Sequence, residues 1–283
     1  MTPANLSETS YWMAYMRALE AERPDALFKD PYSRQLAGHI GEAVSRNLGS
    51  IQLIANSIAV RTSVMDWLIL DTVARMNVDL ILNIGSGLDT RPWRLGLPAR
   101  LTWMDVDLPA VLDHKSQTLA NYKPNCQYRC VGADILQSAQ RQSILRECSD
   151  AGRVLVITEG LLVYLRPAEV EGLARDLHNQ PACLWWLTDL VGPRALDHLR
   201  SEWAPKLRNI EFHFAPADST HFFGRVGWRE AEFHSSVQEA RRLRRSPPLP
   251  WLARLLIAFS APSEELRRLA GIAVLVRDTS PSK

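Results

Sequence analysis

Apolar positions follow two rhythms along the chain. Over residues 10–22 the spacing is helical: Trp12, Met16 and Leu19 share one face, with Tyr11 and Tyr15 beside it. Asp30-Pro31 predicts the start of a second helix, with Pro31 at its first position. Residues 58–77 predict a third, in which Met65, Leu68, Ile69, Thr72, Val73 and Met76 recur at i, i+3, i+4, i+7, i+8 and i+11 as a buried stripe. After Asp79 the rhythm changes. Leu80-Ile81-Leu82-Asn83-Ile84 has no polar face, which is how a strand buried on both sides of a parallel sheet reads. Further short runs predict strands at 101–106, 127–131, 153–158, 183–190, 229–235 and 271–277. Helices are expected over 110–121, from Arg166-Pro167 onward, and over 192–205. Strands alternating with helices predict an α/β fold.

The first strand runs into Gly85-Ser86-Gly87, where two glycines allow a sharp turn and let a ligand lie against bare main chain. Such a loop is the usual nucleotide-cofactor site of an open α/β sheet. A dinucleotide fingerprint wants a third glycine, and here that position is Thr90. NAD and FAD are therefore disfavoured over a smaller adenosyl ligand without a pyrophosphate.

Acids follow the strands at the spacing such a ligand needs. Asp105 and Asp107 both stand about 20 residues after the loop, where ribose hydroxyls are held, and one of them can instead cap the next helix. Asp134 with Ile135 follows the third strand, suited to an adenine amino group or equally to a turn. Glu159-Gly160 closes the fourth strand as a cofactor or substrate contact. Arg61 lies one turn upstream on the third helix's buried stripe and needs an anionic partner. That partner is a ligand carboxylate, or an acid such as Asp89.

Composition narrows the picture. The 33 Lys+Arg nearly balance the 31 Asp+Glu, so no global field draws the chain to nucleic acid or membrane. No apolar run reaches spanning length, and the start lacks a secretory pattern. Cys126, Cys130, Cys148 and Cys183 form no Cys-x-x-Cys pair; free thiols in a reducing cytoplasm are expected, and no metal site. The basic cluster Arg241-Arg242-Leu243-Arg244-Arg245 reads as a solvated helix face and turn. Trp185-Trp186 point to opposite faces as packing residues.

Seven strands with the last antiparallel, a Gly-x-Gly loop and acids after strands two and three suggest a class I S-adenosyl-L-methionine (SAM)-dependent methyltransferase. Arg61-Thr62, Gly85-Ser86-Gly87-Leu88-Asp89-Thr90-Arg91, Val106-Asp107-Leu108-Pro109, Asp134-Ile135 and Thr158-Glu159-Gly160, in that order, resemble the leucine carboxyl methyltransferase family. Arg17-Ala18-Leu19-Glu20 and Asp30-Pro31-Tyr32 resemble its bacterial tailoring members. The resemblance spans about residues 8–167. It implies a Rossmann-like seven-stranded sheet in one unit, 58–283, with an N-terminal helical cap, 1–57, and C-terminal lid insertions at about 192–226 and 237–270. It implies SAM as cofactor, with Arg61 on the methionyl carboxylate, Gly85 and its loop, Gly87 included, along the amino-acid part, Asp107 or Asp105 on the ribose, Asp134 and Ile135 at the adenine, and Glu159 at the methionyl amino end.

The implied reaction is O-methylation of a small-molecule or peptide carboxylate in secondary metabolism, which needs no base because a carboxylate is already ionised near neutrality. Tyr11, Trp12, Tyr164 and His221 are the expected pocket wall. A hydroxyl acceptor would instead call for a base such as His39, His213 or His221. A SAM-binding protein without chemistry is the remaining alternative.

Overall fold

The computed structural model describes residues 3–48, 51–206, 210–246 and 263–278. Its chain runs α1 (Pro3–Ala21), α2 (Ser33–Leu48), α3 (Ile51–Met76), β1 (Leu80–Ile84), α4 (Arg91–Arg94), β2 (Thr102–Asp107), α5 (Pro109–Thr118), β3 (Gln127–Gly132), α6 (Ser138–Glu147), β4 (Val154–Thr158), α7 (Pro167–Asn179), β5 (Cys183–Val191), α8 (Pro193–His198), α9 (His221–Gly224), β6 (Trp228–Ser235), α10 (Ser236–Arg242) and β7 (Ala270–Arg277). A single 3-10 turn, Leu162–Tyr164, lies between β4 and α7. The sheet order is β3-β2-β1-β4-β5-β7-β6. β7 is antiparallel to both β5 and β6, and the remaining pairs are parallel.

Both faces of the sheet are covered, and the period of two decides which side chain goes where. Ile81, Trp103, Leu155 and Leu187 face α3, whose Val64, Met65, Leu68, Ile69 and Val73 form the opposing layer. Their chain neighbours Leu82, Met104, Val156 and Trp186 face the other way, toward Leu145 of α6 and Leu173 and Leu177 of α7. Each fully buried aliphatic side chain of the α3 stripe contributes roughly 1.5–3 kcal/mol. Trp186 is buried and Trp185 partly buried on opposite faces, as expected.

α3 departs from expectation in three ways. It begins at Ile51, so the cap boundary expected at residue 57 falls inside a continuous helix. Met76, at its last turn, is 37% exposed and leaves the stripe. Its segment Gln52–Met76 is also long and apolar enough to cross a membrane, contrary to the expectation of no such run; 61% of an apolar 18-residue stretch within it is buried inside the fold. α2 begins at Ser33, two residues after Pro31. The Asp30 carboxylate starts it by accepting from the Tyr32 and Ser33 backbone N–H groups at 3.3 and 3.1 Å.

α1 and α2 pack as a cap through two clusters. Trp12 and Met16 meet Ile54, Ile58, Leu196, Ile210 and Phe212, while Ala14 and Leu36 meet Leu88, Trp93 and Val111. A third tie comes from the basic cluster. Arg245 is not solvated: it is 4% exposed, bonded to Glu20 at 2.7 Å and to Asp25 at 3.1 Å. Arg241, Arg242 and Arg244 are exposed as expected. Of the expected lid at 237–270, residues 247–262, including the proline-rich 247–250 and Trp251, lie outside the described residues.

Candidate cofactor and acceptor site

The strand order reverses between β1 and β4, where open α/β sheets bind ligands at the carboxyl ends of their strands. Two adjoining lobes lie there. The inner, about 100 Å³, is bounded by the glycine loop, Arg61, Asp89, Arg91 and Glu159. The outer, about 420 Å³, extends over Asp107, Asp134 and Ile135 to Glu211 and His213. Gly85, Gly160 and Tyr164 belong to both and mark the junction. The larger volume is in the range of small-molecule sites.

The loop's backbone is in the left-handed region at both glycines, with φ of 67° at Gly85 and 51° at Gly87. A Cβ would sit 3.0 Å from the Leu161 side chain at Gly85 and 3.1 Å from Ser10 Oγ at Gly87. Asp107 fixes the turn: the Gly87 N–H donates to its Oδ2 at 2.6 Å and the Leu108 N–H to its Oδ1 at 2.7 Å. Burial nevertheless holds its carboxyl above the usual aspartate range. Thr90, where a third glycine would stand, donates its hydroxyl to Asp30 at 2.8 Å and so fastens the loop to the cap.

The two acids of β2 have different fates. Asp105 is fully buried and accepts from Asn83 Nδ2 at 3.0 Å, Trp103 Nε1 at 2.8 Å, Tyr128 Oη at 2.8 Å and Lys115 Nζ at 2.5 Å. Those partners use its lone pairs, and it lines neither lobe. The expectation that it contacts a cofactor is corrected: Asp105 is the counter-ion of Lys115 on α5. Asp107, at the strand's exit, faces the outer lobe.

Arg61 and Glu159 meet. Arg61 Nε donates to Glu159 Oε1 at 2.9 Å and its Nη1 to Asp189 Oδ2 at 3.0 Å. Asp89, the structural partner considered for Arg61, pairs instead with Arg91 at 2.7 Å. Arg91 also donates to Glu159 Oε2 and to Asp66, each at 2.7 Å. Burial would raise Glu159, but Arg91 and Arg61 outweigh it and hold the carboxyl below its usual value. Asp134 accepts from the Leu136 N–H at 2.9 Å as a turn residue while also lining the outer lobe, beside buried Ile135.

Of the expected pocket wall, only Tyr164 lines the cavity. It lies 5.5 Å from the Phe212 ring in a stacked pose, and burial pushes its phenol up to about 12. Tyr11 packs on His114 at 4.8 Å and Trp12 on Trp203 at 5.4 Å, both away from the lobes. The reason is helical phase. Ser10, Met13 and Arg17, at i, i+3 and i+7 of α1, form the face turned to the glycine loop, and Tyr11 and Trp12 lie on the flanks. His221 is exposed on α9 against Asp218, and His39 is exposed on α2. His213 does line the outer lobe, with Nε2 3.1 Å from Glu211.

Residues with no ligand role assigned from the sequence complete the inner lobe: Arg17, Asp89 and Arg91. Asp66, a buried acid beside the apolar stripe of α3, was a signal that a cation lay opposite. The donor set suits a zwitterionic amino-acid end, since the arginines and the carboxylates of Asp89 and Glu159 share one lobe. Ser86 Oγ, buried there without a partner among the described residues, offers one further hydrogen bond.

Sheet order, antiparallel β7 and the two-lobed cavity define the class: a class I methyltransferase fold. The family model described as leucine carboxyl methyltransferase matches residues 10–178, and the chain belongs to that family. A relative from Parafrankia sp. (strain EAN1pec), named "Putative S-adenosyl-L-methionine-dependent methyltransferase", is 30% identical over 268 residues, covering 87% of this chain and 83% of that one. A similarly named protein of Streptomyces coelicolor is 31% identical over 193 residues, 64% of this chain and 67% of its own length. Among solved structures, a DUF574 family protein from Streptomyces avermitilis superposes with a TM-score of 0.59 at 16% identity, covering 93% of this chain and 96% of that one. A methyltransferase-titled structure from Thermobifida fusca gives 0.57 at 15% identity, with 94% of each chain covered. These two bear on the fold alone.

Proposed function

We propose that this SAM-dependent methyltransferase forms a methyl ester on a carboxylate of a small-molecule or peptide acceptor. When bound, SAM supplies a methyl group on a cationic sulfur, which becomes a neutral thioether once the acceptor oxygen has taken the methyl carbon. Arg61 and Glu159 hold the methionyl carboxylate and ammonium, Asp107 accepts from the ribose hydroxyls, and Ile135 with Asp134 borders the adenine.

The observation that carries the carboxylate reading is Tyr164. It stands where the lobes join, and its phenol, pushed up to about 12, stays protonated near neutrality. It can donate a hydrogen bond to an acceptor oxygen but cannot take a proton from one. A carboxylate requires no more, because it arrives ionised. Alignment and exclusion of water then supply the acceleration, for which proximity effects can provide roughly 7–11 kcal/mol. The family description, leucine carboxyl methyltransferase, points the same way.

A second reading has one observation in its favour. His213 lines the outer lobe beside Glu211, and a neutral imidazole there could serve a hydroxyl acceptor as base. Paired acids and alcohols, such as benzoate with benzyl alcohol and octanoate with octanol, separate the readings. Labelled methyl from SAM is expected on the acids; transfer to the alcohols alone would favour the second.

A further inference from the structure

The segment carrying Glu211 and His213 is built against the junction. The backbone N–H groups of His213 and Phe214 donate to Val163 O at 2.7 and 3.2 Å, and Phe212 stacks on Tyr164. His213 is thereby fixed to the turn that presents Tyr164. His213 Nε2 lies 3.1 Å from the Glu211 carboxylate, which therefore sits beside that edge of the ring. Nδ1 is left as the ring's second hydrogen-bonding atom. The side chain is three-quarters buried, whereas Glu211 is mostly exposed, so the imidazole is the member of the pair that faces an occupant. The other charged or titratable groups sharing the outer lobe are Asp107, Asp134, Tyr164, Arg166 and Glu169. Of these, Asp107, Asp134 and Glu169 already accept from backbone N–H groups.

We propose that His213, in its imidazolium form, anchors the acceptor's carboxylate through Nδ1, and that Glu211 positions the ring for it. The inference rests on the carboxylate reading above. Imidazolium and the Tyr164 hydroxyl together make a two-donor seat for one carboxylate oxygen while the other oxygen stays free to react. The seat selects by charge: an anion gives Nδ1–H a charged acceptor, whereas an alcohol of the same shape leaves that edge of the ring with a neutral one and only the exposed Glu211 at the other. No proton leaves the acceptor, so His213 acts as a hydrogen-bond donor rather than a base.

The test uses the full chain saturated with S-adenosylhomocysteine and follows the His213 ring by NMR as pH is varied. Benzoate, hippurate and octanoate are added in turn, with benzyl alcohol and octanol as uncharged counterparts. The acids are expected to move the His213 titration midpoint upward by about one pH unit or more, and the alcohols not to move it. In turnover, His213→Asn is expected to raise KM for acids at least tenfold with kcat little changed, and Glu211→Gln to raise it less. A His213 midpoint unmoved by all three acids overturns the proposal. So does a His213→Asn variant that loses kcat at unchanged KM, the mark of a base. An alkali-stable methylated product would sink the ester reading itself and is scored separately.

Discussion

Arg61 on α3 and Glu159 at the exit of β4 are 98 positions apart in the chain and share a 2.9 Å hydrogen bond at the inner lobe. The pair is the middle of a buried run of alternating charge, from Asp189 through Arg61, Glu159 and Arg91 to Asp66 and Arg94. An amino-acid ligand held there, as proposed, would exchange one set of ion partners for another, and the same pairs tie α3 to the carboxyl edge of the sheet.

Arg61→Ala is expected to weaken binding of S-adenosylhomocysteine by at least about 1.5–3 kcal/mol, the loss of a charged hydrogen-bond partner. It also leaves Glu159 and Asp189 short of a cation, so the melting temperature should fall. Arg61→Lys should recover only part of both, because one ammonium does not reproduce the planar fork that spans two carboxylates. Calorimetry and thermal melts on the three proteins check this.

Asp105 and Asp107 separate stability from binding. Asp107→Ala should cost about 1.5–3 kcal/mol of cofactor affinity. Asp105→Ala should leave the affinity of folded protein nearly unchanged but cost about 3–5 kcal/mol of stability, because Lys115 would be buried without its counter-ion. Urea melts and calorimetry on both variants give the two numbers. Equal effects on affinity would return the ribose role to either acid.

Cofactor affinity should also depend on pH with a definite sign. Burial raises the Asp107 carboxyl, so as pH falls it protonates before an ordinary aspartate, near 3.9, would. Its charged form is the one proposed to accept from ribose, so affinity is full at neutral pH and falls on acidification through that raised value. Glu159 is held low, and its ion pairs contribute stability that is complete above the usual glutamate range and lost only as pH falls through its lower value. Binding should therefore weaken before the fold does. Asp107→Asn should remove the binding inflection.

Arg245→Ala should lower stability by about 3 kcal/mol, since it takes from buried Glu20 its nearest cation and leaves only Arg23 at 3.6 Å. Arg241→Ala, one turn away on the exposed surface, should change it by less than about 0.5 kcal/mol. Chemical denaturation of the pair measures the contrast.

Much of this was legible in the sequence, and the gaps have physical causes. β1, β4 and β7 are close to continuous apolar runs, and all seven strands were readable within a residue or two. Arg61 was readable because a cation on an apolar stripe demands an anion, although not which anion. Asp105 and Asp107 were inseparable because residues two apart share a face of a strand. What divides them is that β2 ends at Asp107, while Asp105 is still covered by Lys115. On α1 the aromatic positions drew the eye, but the cavity is met by the more polar 10/13/17 face, a choice set by how the helix docks. Arg245 was hidden among three similar neighbours, since nothing local marks which one folds back on a helix 225 residues earlier.

The chemistry of the product bears most directly on the central claim. Protein is incubated with methyl-labelled SAM and the acids of the panel, and the labelled product is treated with mild alkali. A methyl ester predicts complete release of the label as methanol, with His213→Asn still active at saturating acceptor. Label that stays on the product as an alkali-stable ether, with turnover abolished in His213→Asn, would contradict it.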